Sequence, residues 1–171
     1  MPYDYDALYQ EQRHALGEPT QAFVDFFEKY AQSSAQVLDV GCGQGRDALF
    51  IARLGHQVTG VDVSPAGIEQ LVTDAKNENL AISGIVADLH DYTPDSSFDV
   101  VVIDRTLHML DAEPRLGVLR RILPAVNSGG YVLIADEKSN LPAMREVFTA
   151  DDAAWASVKD TGGFLFMQKK S

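Results

Sequence analysis

A chain of 171 residues, 46% hydrophobic and 23% charged, is long enough to bury the core of one domain and has the composition of a globular rather than a disordered protein. Its formal net charge of −11, from 25 acids against 14 bases, argues against nucleic acid and anionic membrane as partners, because the bases are scattered and do not form a patch. The lone cysteine, Cys42, excludes an internal disulfide and fits a reducing cytoplasm.

The start, Met1-Pro2-Tyr3-Asp4-Tyr5-Asp6, carries neither a basic region nor an apolar core, so no signal peptide is expected. No apolar run approaches the roughly 18–20 residues that span a bilayer. The tyrosine-rich stretch up to Arg13 lies outside the periodic pattern. Residues 20–32 place Ala22, Phe23, Phe26, Phe27 and Tyr30 on one face, predicting an amphipathic helix. A buried strand over 37–40 leads to a helix over 45–54, which Gly55 ends. A second strand over 57–63 meets Ser64-Pro65, a capping hydroxyl and a first-turn proline that open the next helix.

A third strand covers 81–87. The apolar run over 98–103, broken only by Asp99, reads as a central parallel strand. A helix over 115–126 follows, and Gly129-Gly130 releases the chain into a strand over 131–135. A short helix over 141–149 precedes a β-hairpin formed by 155–158 and 164–168 around the turn 160–163. Helix and strand alternate up to that hairpin. The expected fold is α/β: a single doubly wound, mostly parallel sheet of about seven strands with a C-terminal antiparallel hairpin. One domain is expected, with residues 1–19 as an N-terminal segment and 20–171 as the core.

The chemistry concentrates in Val37-Leu38-Asp39-Val40-Gly41-Cys42-Gly43-Gln44-Gly45-Arg46 and in Asp62, seventeen positions after Gly45. Glycines let a backbone turn sharply and lie against a ligand, and an acid closing the second strand can accept ribose hydroxyls. Asp39 stands inside a buried strand, where an ionised carboxylate needs a partner, so a cationic ligand group is a reason for it. The glycines at 41, 43 and 45 are spaced more tightly than a dinucleotide fingerprint, which would put its third glycine at Arg46. Asp88, after the third strand, is placed to accept from an adenine amine. Cys42 reads as a small filler of the turn. The isolated His14, His56 and His90 and the single cysteine leave no metal-ligand spacing.

Across residues 20–170 the chain resembles a small class I S-adenosylmethionine-dependent methyltransferase, and the glycine run resembles the tellurite-resistance and thiopurine types. The resemblance implies that Gly41, Cys42, Gly43 and Gly45 line the methionyl and ribose portion of S-adenosylmethionine. It implies that Asp39 and Arg46 hold the methionine end and that Asp62 binds the ribose hydroxyls. Val63 would flank the adenine, Asp88 would take its amine, the Leu89 backbone would take a ring nitrogen, and Asp104 would face the sulfonium. Asp104-Arg105-Thr106-Leu107-His108 is similar to a stretch found in several small-molecule methyltransferases. It offers His108 as a general base and Arg105 as an anchor for an anionic substrate or as the partner of a neighbouring acid. By the same resemblance the N-terminal segment folds over the cofactor as a lid, with Tyr9 and Arg13 closing the site.

The expected partner is therefore a small methyl acceptor, whether thiol, amine, hydroxyl or metalloid oxyanion, with the oligomeric state open. A non-catalytic S-adenosylmethionine or S-adenosylhomocysteine binder and a nicotinamide oxidoreductase are the alternatives.

Overall fold

The computed structural model describes residues 3–171, so Met1 and Pro2 of the N-terminal segment lie outside the described residues. The chain divides into two compact units between Asp88 and Leu89. Its strands form a seven-stranded sheet that is mostly parallel and ends in an antiparallel hairpin, as the alternating pattern predicts.

In the first unit, α1 (Tyr5–Glu11) and α2 (Gln21–Lys29) precede β1 (Gln36–Val40), α3 (Arg46–Arg53), β2 (Gln57–Asp62), α4 (Pro65–Asn77) and β3 (Ile82–Val86). The sheet order is β3-β2-β1, with both pairs parallel and Asp39 opposite Gly60. Burial of Val37, Leu38, Val40, Ala48, Ile51, Val58, Val61 and Leu71 gives this unit its core. The Ser64 hydroxyl accepts the Gly67 amide at 2.9 Å and caps α4, with Pro65 in the first turn. Helix α1 was not expected. A helix of seven residues is too short for a periodicity to show, and what holds it is tertiary contact through the buried Tyr9.

The predicted helix over 20–32 is α2, and its buried Phe27 and C-terminal Tyr30 pack against His56, with ring centroids 5.7 and 5.8 Å away. His56 Nδ1 accepts the Ala35 amide at 3.1 Å, and burial lowers its pKa from the ordinary 6.5. Below that ordinary value the unfolded chain takes up a proton that the folded protein resists, so this contribution to stability is present above about pH 6.5 and is lost as the pH falls. The thermal midpoint is expected to drop between about pH 7.5 and about pH 5.5, and to drop less in His56→Gln, which keeps an acceptor for Ala35. Equal drops in the two proteins would clear His56 of the effect.

In the second unit, β4 (Phe98–Asp104) pairs in parallel with β5 (Val126–Ala135), and β7 (Phe164–Lys169) joins β5 to β6 (Trp155–Thr161) through antiparallel ladders. Between β4 and β5 run a 3-10 turn, Leu107–Met109, and α5 (Ala112–Ile122). A 3-10 turn at Lys138–Asn140 and α6 (Leu141–Ala150) then connect β5 to β6. Helix α5 starts and stops earlier than the expected 115–126. Pro124 has no amide to continue an α-helix, and Leu123–Ala125 closes as a 3-10 turn. Strand β5 begins five residues before the expected 131, and its pairing with β4 is irregular across Gly129-Gly130: the register jumps from Phe98 opposite Val126 to Val100 opposite Tyr131. A Cβ at Gly130 would lie 2.8 Å from the Asp99 carbonyl, which fixes glycine there.

Candidate functional site

In the first unit the glycine turn is built on three left-handed residues, Gly41, Gly43 and Gly45, with φ of +75°, +54° and +93°. Other residue types adopt that conformation at a cost of about 1–2 kcal/mol each. The turn is anchored to β2, because the Gly41 and Cys42 amides both donate to the Val61 carbonyl at 2.7 and 3.0 Å. Asp62 closes β2 and ties the two elements together. Its Oδ2 accepts the Gly43 amide at 2.8 Å and its Oδ1 accepts the Ser64 amide at 2.9 Å. Burial raises its pKa, and those amides oppose the rise. The Val63 amide also acts on this carboxylate, and because each oxygen can accept more than one bond, acceptor capacity remains for a ligand's hydroxyl.

Around this turn Asp39 is 2% exposed, Cys42 is buried, and half-buried Arg46 pairs with Asp47 at 3.6 Å. Burial pushes the Cys42 thiol well up, with Asp39 and Asp62 adding to the rise, which keeps it a protonated filler rather than a nucleophile. Val63 is 64% exposed, an apolar side chain presented to solvent directly after Asp62. Asp88 is exposed two residues beyond β3.

The N-terminal segment lies on the turn. Tyr9 is 3% exposed, and a Cβ at Gly43 would come within 2.6 Å of its hydroxyl. A Cβ at Gly67 would meet the Gly43 carbonyl at 2.9 Å and the Tyr9 ring at 3.0 Å. Burial raises the Tyr9 pKa, and Asp62's charge adds to it, so the phenol stays protonated and able to donate. The structure does not bring Arg13 to the turn: it pairs with Asp74 on α4.

Three residues that hold this arrangement carry no sequence motif. Gln44, inside the glycine turn, donates to the Gln12 carbonyl and to Gln70 Oε1, both at 2.6 Å, and accepts the Ala15 amide at 2.8 Å. Gln70 donates to the Tyr9 carbonyl. Asp6 accepts the Ser64 hydroxyl at 2.6 Å and the Ala66 amide at 3.0 Å, which places an acid over the N-terminus of α4 and lowers its pKa.

In the second unit Asp104 ends β4, 7% exposed, and Leu89 is buried at its start. Arg105 is exposed with φ +53°, a left-handed arginine that costs about 1 kcal/mol relative to glycine, and its amide is fixed to the Ala135 carbonyl at 2.8 Å. The 3-10 turn beyond it is stapled from several directions. Asp136, 2% exposed, accepts the His108 amide at 3.1 Å and Asn140 Nδ2 at 2.7 Å. Asn140 in turn accepts from Arg115, whose other nitrogens donate to the Leu107 and Leu110 carbonyls at 3.0 and 2.7 Å. Within this fixed turn half-buried His108 has a buried Nδ1 with no hydrogen-bond partner among the described residues. Buried ring nitrogens are normally satisfied, so this one points to a contact with a ligand or ordered water. No group of three or more potential metal ligands occurs among the described residues.

A family model described as "Methyltransferase domain" matches residues 37–130, more than half the chain. The chain belongs to this family. The matched stretch of the methyltransferase domain opens on β1 and takes in the glycine turn, Asp62, Asp88 and His108. A probable S-adenosyl-L-methionine-dependent methyltransferase TehB of Haemophilus influenzae is 33% identical over 102 residues, covering 60% of this chain and 36% of that protein. A 2-heptyl-1-hydroxyquinolin-4(1H)-one methyltransferase of Mycobacteroides abscessus is 28% identical over 131 residues, covering 75% of this chain and 57% of that one. The chain thus spans between about a third and somewhat over half of these relatives. The crystal structure of TehB from Haemophilus influenzae superposes with a TM-score of 0.69 at 22% identity, over 90% of this chain and 63% of that one, a likeness of fold.

Proposed function

We propose that the protein is an S-adenosylmethionine-dependent methyltransferase that modifies a small molecule. The observation that carries this reading is the left-handed glycine turn locked to Asp62, with carboxylate acceptor capacity left over at the carboxyl end of β2. The relatives named as methyltransferases support it. The family match runs across the division at Asp88, which supports both units working as one methyltransferase domain. With a net charge of −11, we infer a small-molecule partner rather than nucleic acid or an anionic membrane surface. No helix of the described residues is long and apolar enough to cross a membrane. The lone buried cysteine suits a reducing compartment, so we assign the protein to the cytoplasm, a placement that fractionation of expressing cells checks.

S-adenosylmethionine, when bound, supplies a methyl group on a positive sulfur, which leaves for a nucleophile in line while the C–S electron pair stays on the sulfur. The residues supply binding and alignment. In this reading Asp62 takes the ribose hydroxyls, while Gly41, Cys42, Gly43 and Gly45 form the wall for the ribose and methionyl portion. Asp39 and Arg46 hold the methionine end, Val63 flanks the adenine, and Asp88 accepts its amine. In the second unit the Leu89 amide is assigned to an adenine ring nitrogen and Asp104 to the sulfonium side. His108 takes the proton of an acceptor that carries one, and Asp136, Asn140 and Arg115 position it through the backbone of its turn.

We further assign the N-terminal segment to a lid that excludes water through Tyr9, with Arg13 holding the lid on α4 through Asp74 rather than reaching the cofactor. Gln44→Ala removes the bonds that tie the segment to the glycine turn. It is expected to speed amide exchange over residues 8–17 by about tenfold and to weaken cofactor binding in step, because a net hydrogen bond is worth about 1 kcal/mol and a buried orphan costs more. A loosened segment with unchanged cofactor affinity would remove the lid.

Release of S-adenosylhomocysteine across a panel of small thiols, amines, phenols and metalloid oxyanions tests the proposed activity. Stoichiometric binding of S-adenosylmethionine without product from any acceptor would instead favour a non-catalytic binder.

A further inference from the structure

Among the described residues the other arginines are committed. Arg13, Arg46, Arg53, Arg120 and Arg145 pair with carboxylates, and Arg115 and Arg121 donate to main-chain carbonyls. Arg105 is different: its exposed guanidinium has no ion pair or hydrogen bond among the described residues. In a chain where acids outnumber bases 25 to 14, a carboxylate partner is easily found, so an arginine left without one is unexpected.

Its backbone sharpens the point. Like the other non-glycine residues with positive φ, His14, Ser34 and Asn79, Arg105 lies outside helices and strands, and it directly follows the buried run that ends β4 at Asp104. Glycine would relieve the conformation, so an arginine there needs a reason that lies in its side chain. The backbone beneath it does not move freely. The Arg105 amide is bonded to Ala135, and the turn that follows is held by Asp136 and Arg115. A rigid pedestal therefore carries an uncommitted, permanently charged fork of donors, whose planar geometry matches a carboxylate or similar oxyanion. The chain's net charge of −11 repels anions in general, so an anionic ligand depends on a local cation such as this one.

We propose that Arg105 anchors an oxyanion carried by the methyl acceptor, which makes the substrates small molecules bearing a carboxylate or a comparable anionic group. This rests on the methyltransferase reading. It selects between the two roles that the sequence leaves open for Arg105, because the structure gives it no neighbouring acid as partner.

Matched acceptors test it: 3-mercaptopropionate against 3-mercaptopropanol, 4-hydroxybenzoate against 4-hydroxybenzyl alcohol, and selenite as a free inorganic oxyanion. S-adenosylhomocysteine release is followed for the wild type, Arg105→Gly and Arg105→Lys. The wild type is expected to favour the anionic member of a pair by at least about tenfold in kcat/KM. Arg105→Gly is expected to lose that preference mainly through KM without a fall in thermal midpoint, and Arg105→Lys to keep part of it. Turnover of selenite with neither member of any organic pair used assigns the site to a free oxyanion; a preference within the pairs assigns it to an anionic group on an organic acceptor. Neutral acceptors used as well as anionic ones, anionic acceptors not used at all, or a preference that survives in Arg105→Gly would overturn the proposal. A protein that binds no S-adenosylmethionine fails the methyltransferase reading instead, which a binding titration shows separately.

Discussion

Replacing Asp62 by alanine is expected to weaken S-adenosylmethionine binding by about a hundredfold, close to 3 kcal/mol. The carboxylate holds the Gly43 amide at 2.8 Å and the Ser64 amide at 2.9 Å, so it shapes the turn as well as offering acceptors to the ribose. Charge-assisted hydrogen bonds contribute about 1.5–3 kcal/mol each, and those from the ligand's hydroxyls to Asp62 are lost. The fold loses two backbone acceptors as well, so the thermal midpoint falls by several degrees. Binding must therefore be measured by titration with S-adenosylhomocysteine well below the transition, on protein shown to be folded by circular dichroism. Asp62→Asn is expected to rescue little, because its amide group would face one of the two donors. An alanine variant that binds within about threefold of the wild type would mean that Asp62 serves the turn and not the cofactor.

Replacing His108 by alanine is expected to lower kcat by about 10²–10³-fold with an acceptor whose nucleophile carries a weakly acidic proton. Cofactor affinity should hardly change. The histidine sits on a turn fixed by Asp136 and Arg115, with a buried Nδ1 that finds no partner among the described residues. A base has a signature that a packing role lacks: the deficit should shrink as the acceptor becomes more acidic and ionises without help. A loss of the same size across a series of thiols of graded acidity would assign His108 to packing. Asn140→Ala, which cuts the link from Arg115 to Asp136, separates positioning from chemistry by lowering kcat less than His108→Ala and equally across that series.

Elements with long apolar runs or strong punctuation were legible in the sequence. The run over 98–103 is β4, and Ser64-Pro65 opens α4. The two consecutive glycines at 162 and 163, both at positive φ, make the hairpin turn between β6 and β7. What failed to show depended on residues far apart in the chain. Helix α1 is held by Asp6 on Ser64 and Gln70 on Tyr9, pairings across about sixty positions that leave no periodicity. Gln44 occupies a variable slot of a glycine motif, and its amide bonds with residues 12, 15 and 70, so nothing local marks it. The irregular stretch of β5 at Gly129-Gly130 reads as a plain turn until its neighbour Asp99 is known.

The candidate site divides in the same way. The glycine turn and Asp62 are legible because a close backbone approach restricts which residues fit. The Arg115–Asn140–Asp136 staple is not, because an arginine in a helix and an asparagine before one each look solvated in isolation. Arg105 and His108 were visible as residues, while the features that give them weight, a left-handed backbone and a buried nitrogen without a partner, are visible only in three dimensions.

The most direct test is a calorimetric titration of the protein with S-adenosylmethionine, S-adenosylhomocysteine and NAD. The turn locked to Asp62 predicts saturable one-to-one binding of the two adenosyl compounds with affinities on the order of micromolar, and no heat from NAD. Tight NAD binding with no response to either adenosyl compound would contradict the account.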